Sequence, residues 1–319
     1  MYRIGVDLGG TNIAAGLVDE NYKIVKKLSV HTNIKDGLDV IADDISKLCF
    51  KLCEEAGVEM SSIDAIGVAS PGVANHDDGI VEYSNNIPFR KYPICAKIRE
   101  ATGVESVHVE NDANAAAWGE AIAGAAKGTK NSVMITLGTG VGGGIIIDGK
   151  VYSGFNYAGA ELGHTVIEYN GRPCSCGRRG CWERYSSATA LISMTKETLE
   201  EYKRCGVHTI MEDLAAEKGK VTGRTAFDAM RQGDVAGKEV VDKYLGYLAC
   251  GLANVINVFQ PEVVSIGGGI SNEGDALLEM LKPLVAPQRY GNGFVKMPEL
   301  RIAQLANDAG IIGAAYLGI

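Results

Sequence analysis

The chain lacks the two features that mark membrane and exported proteins. No uninterrupted apolar stretch of about 18 residues, the length that crosses a bilayer, occurs anywhere in its 319 residues. The segment from Met1 to Asp7 leads directly into a strand-like pattern and contains no apolar core of an export signal. We therefore expect no membrane partner and a protein that stays in the cytoplasm.

A basic stripe is also absent. The 31 Lys and Arg residues are outnumbered by 39 Asp and Glu residues, which gives a formal net charge of −8. Nucleic-acid backbones require clustered positive side chains that neutralise phosphates. This composition indicates that nucleic acid is not a partner.

Low-complexity segments and long linkers are missing as well. Hydrophobic residues make up 46% of the chain and charged residues 22%, which is typical of a folded globular protein rather than a disordered one. A chain of this length favours two domains, each with its own core, and therefore an enzyme rather than a small adaptor. Glycine is abundant, with 41 residues, which indicates many tight turns or close approaches of the backbone to a ligand.

Two segments share one pattern of strand, glycine turn, strand and polar turn. They are residues 2–28 and residues 132–153, and their polar turns at Asp19 and Asp148 align when the glycine turns are superposed. A single glycine hairpin is explained equally well as a plain turn, but the second copy favours two phosphate-binding hairpins that face each other across a cleft. The candidate nucleotide-binding residues are Asp7, Gly9, Gly10, Thr11, Gly138, Thr139 and Gly140.

The first hairpin offers three kinds of phosphate contact. Its glycines let backbone N–H groups approach phosphate oxygens, and Thr11 adds a hydroxyl. Asp7, at the end of a strand, could hold Mg²⁺ through water. A third glycine turn at Gly268 and Gly269 follows a buried strand and could contact the adenosine of a nucleotide. It has neither the full G-x-G-x-x-G pattern nor a Walker A lysine.

Strands and helices alternate along the chain. Apolar residues recur at helical spacing from Leu38 to Leu52, residues 63–69 read as a buried strand, and residues 187–259 read as a long helical stretch. A strand at residues 263–266 and a closing helix at residues 310–317 follow. This order predicts an α/β architecture.

Asn111 and Asp112 follow a strand at residues 107–109 and precede a run of alanines that favours a helix. Either residue could be a simple N-cap of that helix. Alternatively, Asp112 faces a substrate and accepts the proton of an attacking hydroxyl, as phosphoryl transfer to an alcohol requires. The two interpretations are equally supported by this segment alone.

One histidine and three cysteines provide a complete tetrahedral zinc set: His164, Cys174, Cys176 and Cys181. In a reducing compartment such clustering favours metal ligation over disulfides, although the C-x-C-x4-C spacing leaves a redox or fortuitous loop open. Because no ligand position is left for substrate, we expect the zinc to be structural and to fix a loop that carries Glu161 and Glu183.

Several carboxylates and amides suit a polyol, since each sugar hydroxyl needs directional partners. The residues are Asn86, Asn111, Asp112, Glu161, His164 and Glu183. In contrast, residues 76–79 read as an exposed turn, and Cys49 and Cys53 as the packed face of a helix.

Taken together, these motifs resemble the ROK family of sugar kinases, repressors and open reading frames. The motifs follow one another in the same order as in members of the family and cover essentially the whole chain. The combination of phosphate hairpins with this zinc knuckle is highly specific for the family. The resemblance implies an actin-like ATPase fold of two α/β domains around a central cleft that holds ATP and sugar, and a homodimer or homotetramer. We expect an N-terminal domain at residues 1–115, to which the helix at 305–319 returns, and a second domain at 116–304.

The resemblance also implies roles for individual residues. Asp112 matches the catalytic base, and His164, Cys174, Cys176 and Cys181 match the zinc ligands. A loop near the sugar contains Gly72, and the positions that match sugar contacts are Asn86, Asn111, Glu161, His164 and Glu183. One departure is local: the family often has Ser-Gly-x-Ala after the matching glutamate, whereas this chain has Ser187-Ala188-Thr189-Ala190.

By this resemblance, the expected activity is ATP-dependent phosphorylation of a hexose at its 6-hydroxyl. The length and the sugar-site residues are similar to those of bacterial members that phosphorylate glucose, but kinases for N-acetylmannosamine, N-acetylglucosamine, fructose and allose share most of them. A sugar-sensing repressor of the same fold would need a DNA-binding segment, for which the early strand leaves no room. A non-catalytic actin-like assembly protein would have no reason for the zinc knuckle.

Overall fold

The computed structural model describes residues 1–318, which form an α/β protein with two five-stranded sheets and one three-stranded sheet. The strands are β1 Tyr2–Leu8, β2 Asn12–Asp19, β3 Ile24–His31, β4 Ile63–Ser70, β5 Val73–Asn75, β6 Ile80–Tyr83, β7 Arg90–Tyr92, β8 Val107–Asn111, β9 Ser132–Leu137, β10 Val141–Ile147, β11 Lys150–Val151, β12 Val263–Gly267 and β13 Glu299–Ile302. The helices are α1 Leu38–Ala56, α2 Ile94–Thr102, α3 Asp112–Ala123, α4 Glu183–Ser186, α5 Ala188–Arg204, α6 Ile210–Glu217, α7 Thr225–Arg231, α8 Val235–Phe259, α9 Asp275–Val285 and α10 Ala309–Ala315.

The chain divides into two compact units. The first comprises residues 1–134, residues 143–160 and the segment that begins at Ala303, and the second comprises residues 135–142 and 161–302. The division expected from the sequence, between residues 115 and 116, lies inside α3 and stays a prediction. None of the helices in residues 1–318 is long and apolar enough to cross a membrane.

The first sheet has the strand order β3-β2-β1-β4-β8, with β1, β4 and β8 parallel. Helix α1 buries the predicted apolar stripe, including Ile41, Ile45 and Leu52, in the core beside this sheet. Cys49 and Cys53 lie in the same core, as the sequence predicted. Apolar periodicity therefore determines which side of α1 faces the sheet.

Helix α10 packs against β1, β4 and α3 within the first unit. The approach is close because glycines stand where the backbones meet: a Cβ at Gly67 would overlap the carbonyl oxygen of Ala314, and a Cβ at Gly313 would overlap that of Ala115. Glycine is the residue that permits such contact between backbones. This segment thus belongs structurally with strands that lie some 240 to 310 positions earlier in the chain.

The second five-stranded sheet has the order β11-β10-β9-β12-β13. The strands β9, β10 and β11 repeat the order of β1, β2 and β3, as the duplicated pattern predicts. The predicted helical stretch at 187–259 is four helices, α5 to α8, rather than one. The segments between these helices contain Gly206, Gly219 and Gly233, each of which has positive φ.

Candidate functional site

In the first unit, three parallel strands end at one edge of the first sheet. The register pairs Asp7 of β1 with Ala69 of β4, and the next residue of β4, Ser70, with Asn111 of β8. Asp7 and Asn111 therefore lie near each other although 104 positions separate them in the sequence. The carboxyl ends of parallel strands are the usual position of ligand sites in α/β sheets.

Helix α3 begins immediately after β8, and Asn111 is its N-cap. The Asn111 side-chain oxygen accepts hydrogen bonds from the backbone N–H groups of Ala113 (2.9 Å) and Asn114 (3.2 Å). Its amide group donates to the carbonyl oxygen of Gly72 at 3.0 Å. The capping interpretation is therefore correct for Asn111, and the cap also ties the loop at Gly72 to the start of the helix.

Asp112 occupies the first helical position and is not the cap. One of its carboxylate oxygens accepts from the backbone N–H of Ala113 at 2.8 Å, and the side chain is accessible to solvent. Desolvation by the surrounding protein nevertheless raises the pKa of Asp112 above its ordinary value. The raised pKa makes the deprotonated carboxylate of Asp112 a stronger base than an ordinary exposed aspartate.

The first glycine hairpin lies at the same edge. Burial, and then the negative charge of Asp112, raise the pKa of Asp7, so the two carboxyl groups are close enough to interact. Gly10 is exposed and lies beside Asn86. A Cβ atom added at Gly10 would be 3.8 Å from the Cβ of Asn86. The structure thus brings together Asp7, Gly10, Asn86, Asn111 and Asp112 from the set that the sequence singled out.

A buried glutamate beside this edge was missed by the sequence analysis. Glu110 is 3% exposed, and its carboxylate contacts Asn111, Asn114 and His76. Residues 76–79 form a turn with exposed side chains, as predicted from the sequence, and the His76 side chain in addition contacts this buried carboxylate. A signal was available: a glutamate in the alternating pattern of a buried strand needs a partner.

The second glycine hairpin belongs to the second unit, where the start of α5 contacts it. The backbone N–H of Ala188 donates to the carbonyl oxygen of Gly138 at 2.8 Å, and the Thr189 hydroxyl donates to that of Thr139 at 2.8 Å. Ala188, the one position at which the chain departs from the family pattern, thus contacts the hairpin through a backbone group that glycine would also provide. Thr139 is exposed at its tip.

Glu183 contacts this hairpin directly. Its carboxylate accepts from the backbone N–H of Val141 at 3.1 Å. On the other side, Gly163 lies so close to the Val141 carbonyl that a Cβ there would overlap it. Glu161 precedes Gly163 by two positions and its side chain is exposed. The segment that carries the candidate sugar-binding residues and the second hairpin therefore form one packed arrangement.

His164, Cys174, Cys176 and Cys181 form a cluster that could hold a metal ion, with all four ligand atoms within 4.8 Å of one another. The Sγ atoms of Cys176 and Cys181 are 3.6 Å apart, and Cys174 Sγ is 3.7 Å from His164 Nδ1. A tetrahedron with metal–sulfur bonds of about 2.3 Å has edges of about 3.8 Å, so the four residues fit such an ion. The turn that closes the cluster requires Gly180, whose φ of +81° and contact with the Glu168 carbonyl exclude a side chain.

The third glycine turn, Gly268 and Gly269, follows β12 and is exposed. Gly268 has a φ of +82° and packs against the backbone of Leu137, the residue that precedes the second hairpin. The second unit therefore brings the hairpin, the metal cluster and this turn together.

Comparison with known proteins identifies relatives over the whole chain. The model of the ROK family matches residues 3–319. The glucokinase of Thermotoga maritima is 39% identical over 315 residues, which cover 98% of this chain and 96% of that protein. Conservation at this level over both lengths implies a shared fold.

Two solved structures are also similar to this chain over nearly its whole length. One is a ROK family glucokinase from Streptomyces griseus in complex with glucose and AMPPNP, with a TM-score of 0.79, 34% identity and 99% coverage of both chains. The other is a ROK hexokinase from Thermus thermophilus, with a TM-score of 0.80, 33% identity, and coverage of 99% of this chain and 97% of that one. The predicted actin-like α/β fold is confirmed by these matches.

Proposed function

This chain belongs to the ROK family, and on that premise we propose that it transfers the γ-phosphate of ATP to the 6-hydroxyl of a hexose, with glucose as the acceptor. The relatives that support this proposal are named as glucokinases and hexokinases and match at 33% to 39% identity over nearly their full length. The S. griseus relative binds glucose and an ATP analogue.

The observation that carries the proposal is the carboxylate of Asp112 at the first position of α3, immediately after β8. Phosphoryl transfer has little covalent chemistry for a protein to perform, so it requires a positioned base and stabilisation of phosphate charge. Asp112 accepts the proton of the 6-hydroxyl as that oxygen attacks phosphorus. Its raised pKa brings it closer to the pH at which the reaction runs.

The glycine turns are proposed to bind the nucleotide. Backbone N–H groups at Gly9, Gly10, Gly138 and Gly140, together with the hydroxyls of Thr11 and Thr139, would contact the phosphates, and Gly268 and Gly269 the adenosine. Asp7 would hold Mg²⁺ through water. When bound, that ion neutralises charge on the β- and γ-phosphates.

We propose that the cluster of His164, Cys174, Cys176 and Cys181 binds zinc. A set of three thiolates and one imidazole without an open position is typical of structural zinc. Because His164 Nδ1 faces Cys174, Nε2 stays available to donate to a sugar hydroxyl. Glu161 and Glu183 lie just outside the ligands and would bind further hydroxyls, as would Gly72, Asn86 and Asn111.

The Asp112→Asn variant tests the base. We expect it to bind glucose normally and to lose turnover by about 100-fold or more, since amide nitrogen and oxygen cannot accept the proton. Glucose affinity from calorimetry and steady-state ADP release measure the two effects. Asp64→Asn, at an exposed aspartate of β4, is the matched control and should leave both unchanged. Substantial turnover by Asp112→Asn would refute the assignment.

A substrate panel with coupled ADP detection tests the acceptor. Glucose should give the highest kcat/KM among glucose, fructose, allose, N-acetylglucosamine and N-acetylmannosamine, and ATP should exceed polyphosphate as donor. Pocket shape discriminates one extra group on a sugar by about 1–3 kcal/mol, so the ranking is measurable. ATP consumption that no sugar stimulates would favour a sugar-sensing regulator of the same fold.

We also propose where the protein is located and how it assembles. The resemblance to the family supports a cytoplasmic homodimer or homotetramer that binds neither nucleic acid nor membrane. Sedimentation analysis of the purified chain would distinguish these assemblies from a monomer.

A further inference from the structure

The start of α3 is held by a carboxylate that the proposed reaction does not use. Glu110, the penultimate residue of β8, is 3% exposed. One of its oxygens accepts from the backbone N–H of Asn111 at 2.8 Å and from the side-chain amide of Asn114 at 3.0 Å. These two partners lie on either side of Asp112 in the chain, so Glu110 fixes the turn from which the Asp112 side chain projects.

The other carboxylate oxygen of Glu110 faces His76. The distance to His76 Nδ1 is 3.1 Å, and because a carboxylate only accepts, Nδ1 must be the donor. His76 lies in the turn between β5 and β6 and provides positive charge when protonated. A charge as deeply buried as that of Glu110 requires such a partner, since removal of one member of a buried pair leaves the other uncompensated.

His76 is itself held in place by the segment before Glu161. The Tyr157 ring contacts the His76 ring edge-on, with centroids 4.9 Å apart at 78°. The Tyr157 hydroxyl donates to Asp77 at 2.6 Å. Asp77 is also the second carboxylate near the imidazole, at 3.8 Å from Nε2. The Tyr157 ring and the neighbouring Asp77 carboxylate thus hold this imidazole beside Glu110.

We propose that Glu110, paired with His76, is a positioning residue that fixes the orientation of Asp112 for proton transfer. The inference rests on the proposed function, because it assigns Asp112 as the base. Neither residue touches the substrates in this account. Their effect is on kcat, since a base displaced by about 1 Å loses up to about 100-fold in rate without a matching loss of binding.

The surroundings of His76 allow a specific test. His76 and Glu110 line a recess of about 390 Å³, together with His108, Trp118 and Lys150, and 38% of the His76 side chain is exposed. In the variant His76→Ala, free imidazole can enter the vacated volume and pair with Glu110. Chemical rescue of this kind separates a positioning role from general damage to the fold.

The experiment measures kcat, both KM values and melting temperature for wild type, His76→Ala and Glu110→Gln, with and without imidazole. We expect kcat to fall by roughly tenfold to 100-fold in both variants, while the KM values for glucose and ATP stay within about threefold. Imidazole should restore part of the activity of His76→Ala but none of that of Glu110→Gln. The control His208→Ala removes an exposed histidine that pairs with Asp213 and should show neither effect.

Unchanged kcat in His76→Ala, a loss confined to KM, or a loss that imidazole does not relieve would overturn the inference. If Glu110→Gln fails to fold, the rescue of His76→Ala decides alone, because that side chain lies at the opening of the recess. A wild-type protein that releases no ADP in response to any sugar would contradict the proposed function instead. An active wild type with unaffected variants would contradict only the role of Glu110 and His76.

Discussion

The carboxyl group of Asp112 is reachable from solvent, yet desolvation raises its pKa above that of an ordinary aspartate. A base acts only when deprotonated, so a raised pKa moves the acid limb of kcat/KM to higher pH. We expect half-maximal kcat/KM for glucose at a pH clearly above 3.8, the ordinary value for aspartate. A pH profile of kcat/KM for glucose at saturating ATP measures it, with circular dichroism as the check that the fold persists. An acid limb at the ordinary pKa would contradict the assignment.

His76 should make the stability of the protein depend on pH. The hydrogen bond to Glu110 raises the pKa of His76, and the charges of Glu110 and Asp77 act in the same direction against burial. Because the folded pKa exceeds the unfolded one, the stabilisation is complete below about pH 6.5 and is lost as the pH rises through the folded pKa. The melting-temperature difference between wild type and His76→Gln should therefore be larger at about pH 6 than at about pH 9. A constant difference would show that the charge of His76 contributes nothing.

Single residues also show where sequence reasoning stops. Asn111 and Asp112 were recognisable as a helix start or a reaction centre, but the sequence could not separate the two, since both residue types suit both roles. The structure gives the cap to Asn111 and leaves Asp112 the next position. Residues 76–79 form a turn with exposed side chains, as predicted, but the pairing of His76 with Glu110 could not be read from the sequence because the two residues are 34 positions apart. Contacts of that kind follow from topology rather than local pattern.

At the scale of elements, α10 depends on glycine. We expect Gly313→Ala to destabilise the protein by about 1–3 kcal/mol or more, because the added methyl group would overlap the Ala115 carbonyl. Gly246→Ala is the matched control in α8, where a Cβ meets nothing within 4 Å. There the change should stabilise by about 0.5–1 kcal/mol, since alanine loses less entropy in a helix. Urea denaturation of both variants measures the difference, and equal effects would contradict the close packing.

The elements themselves were largely predictable. The glycine turn between them identified β1 and β2, and the apolar period of 3.6 identified α1, which buries one face. Helices α5 to α8 were predicted as one stretch, although Gly206, Gly219 and Gly233 in the segments between them were available as signals of the breaks. The contact of α5 with the second hairpin had no signal at all, because backbone groups of Gly138 and Thr139 make it.

At the scale of the whole molecule, the metal cluster should influence nucleotide binding as well as sugar binding. Gly163 and Glu183, which flank the four ligands, both contact Val141 of the second hairpin. We expect about one zinc per chain in purified protein, the number that one four-ligand set binds. Chelation should lower the melting temperature and weaken binding of a fluorescent ATP analogue.

Cys176→Ser tests this expectation at a single ligand. It should reproduce the effects of chelation, because loss of one thiolate weakens the site. Cys205→Ser changes an exposed cysteine at the end of α5 and should have no effect. Metal-free protein with full nucleotide affinity would show that the hairpin is independent of the cluster.

The return of α10 to the first sheet has a consequence for synthesis. Strands β1 and β4 emerge early from the ribosome, but the helix that covers them is translated more than 230 residues after β4 ends. At about 5–20 residues per second, that interval lasts from roughly ten seconds to most of a minute. During this interval the glycine-lined surface of the nascent sheet has no helix to pack against, so chaperone contacts are expected there before the proposed base gains its final surroundings.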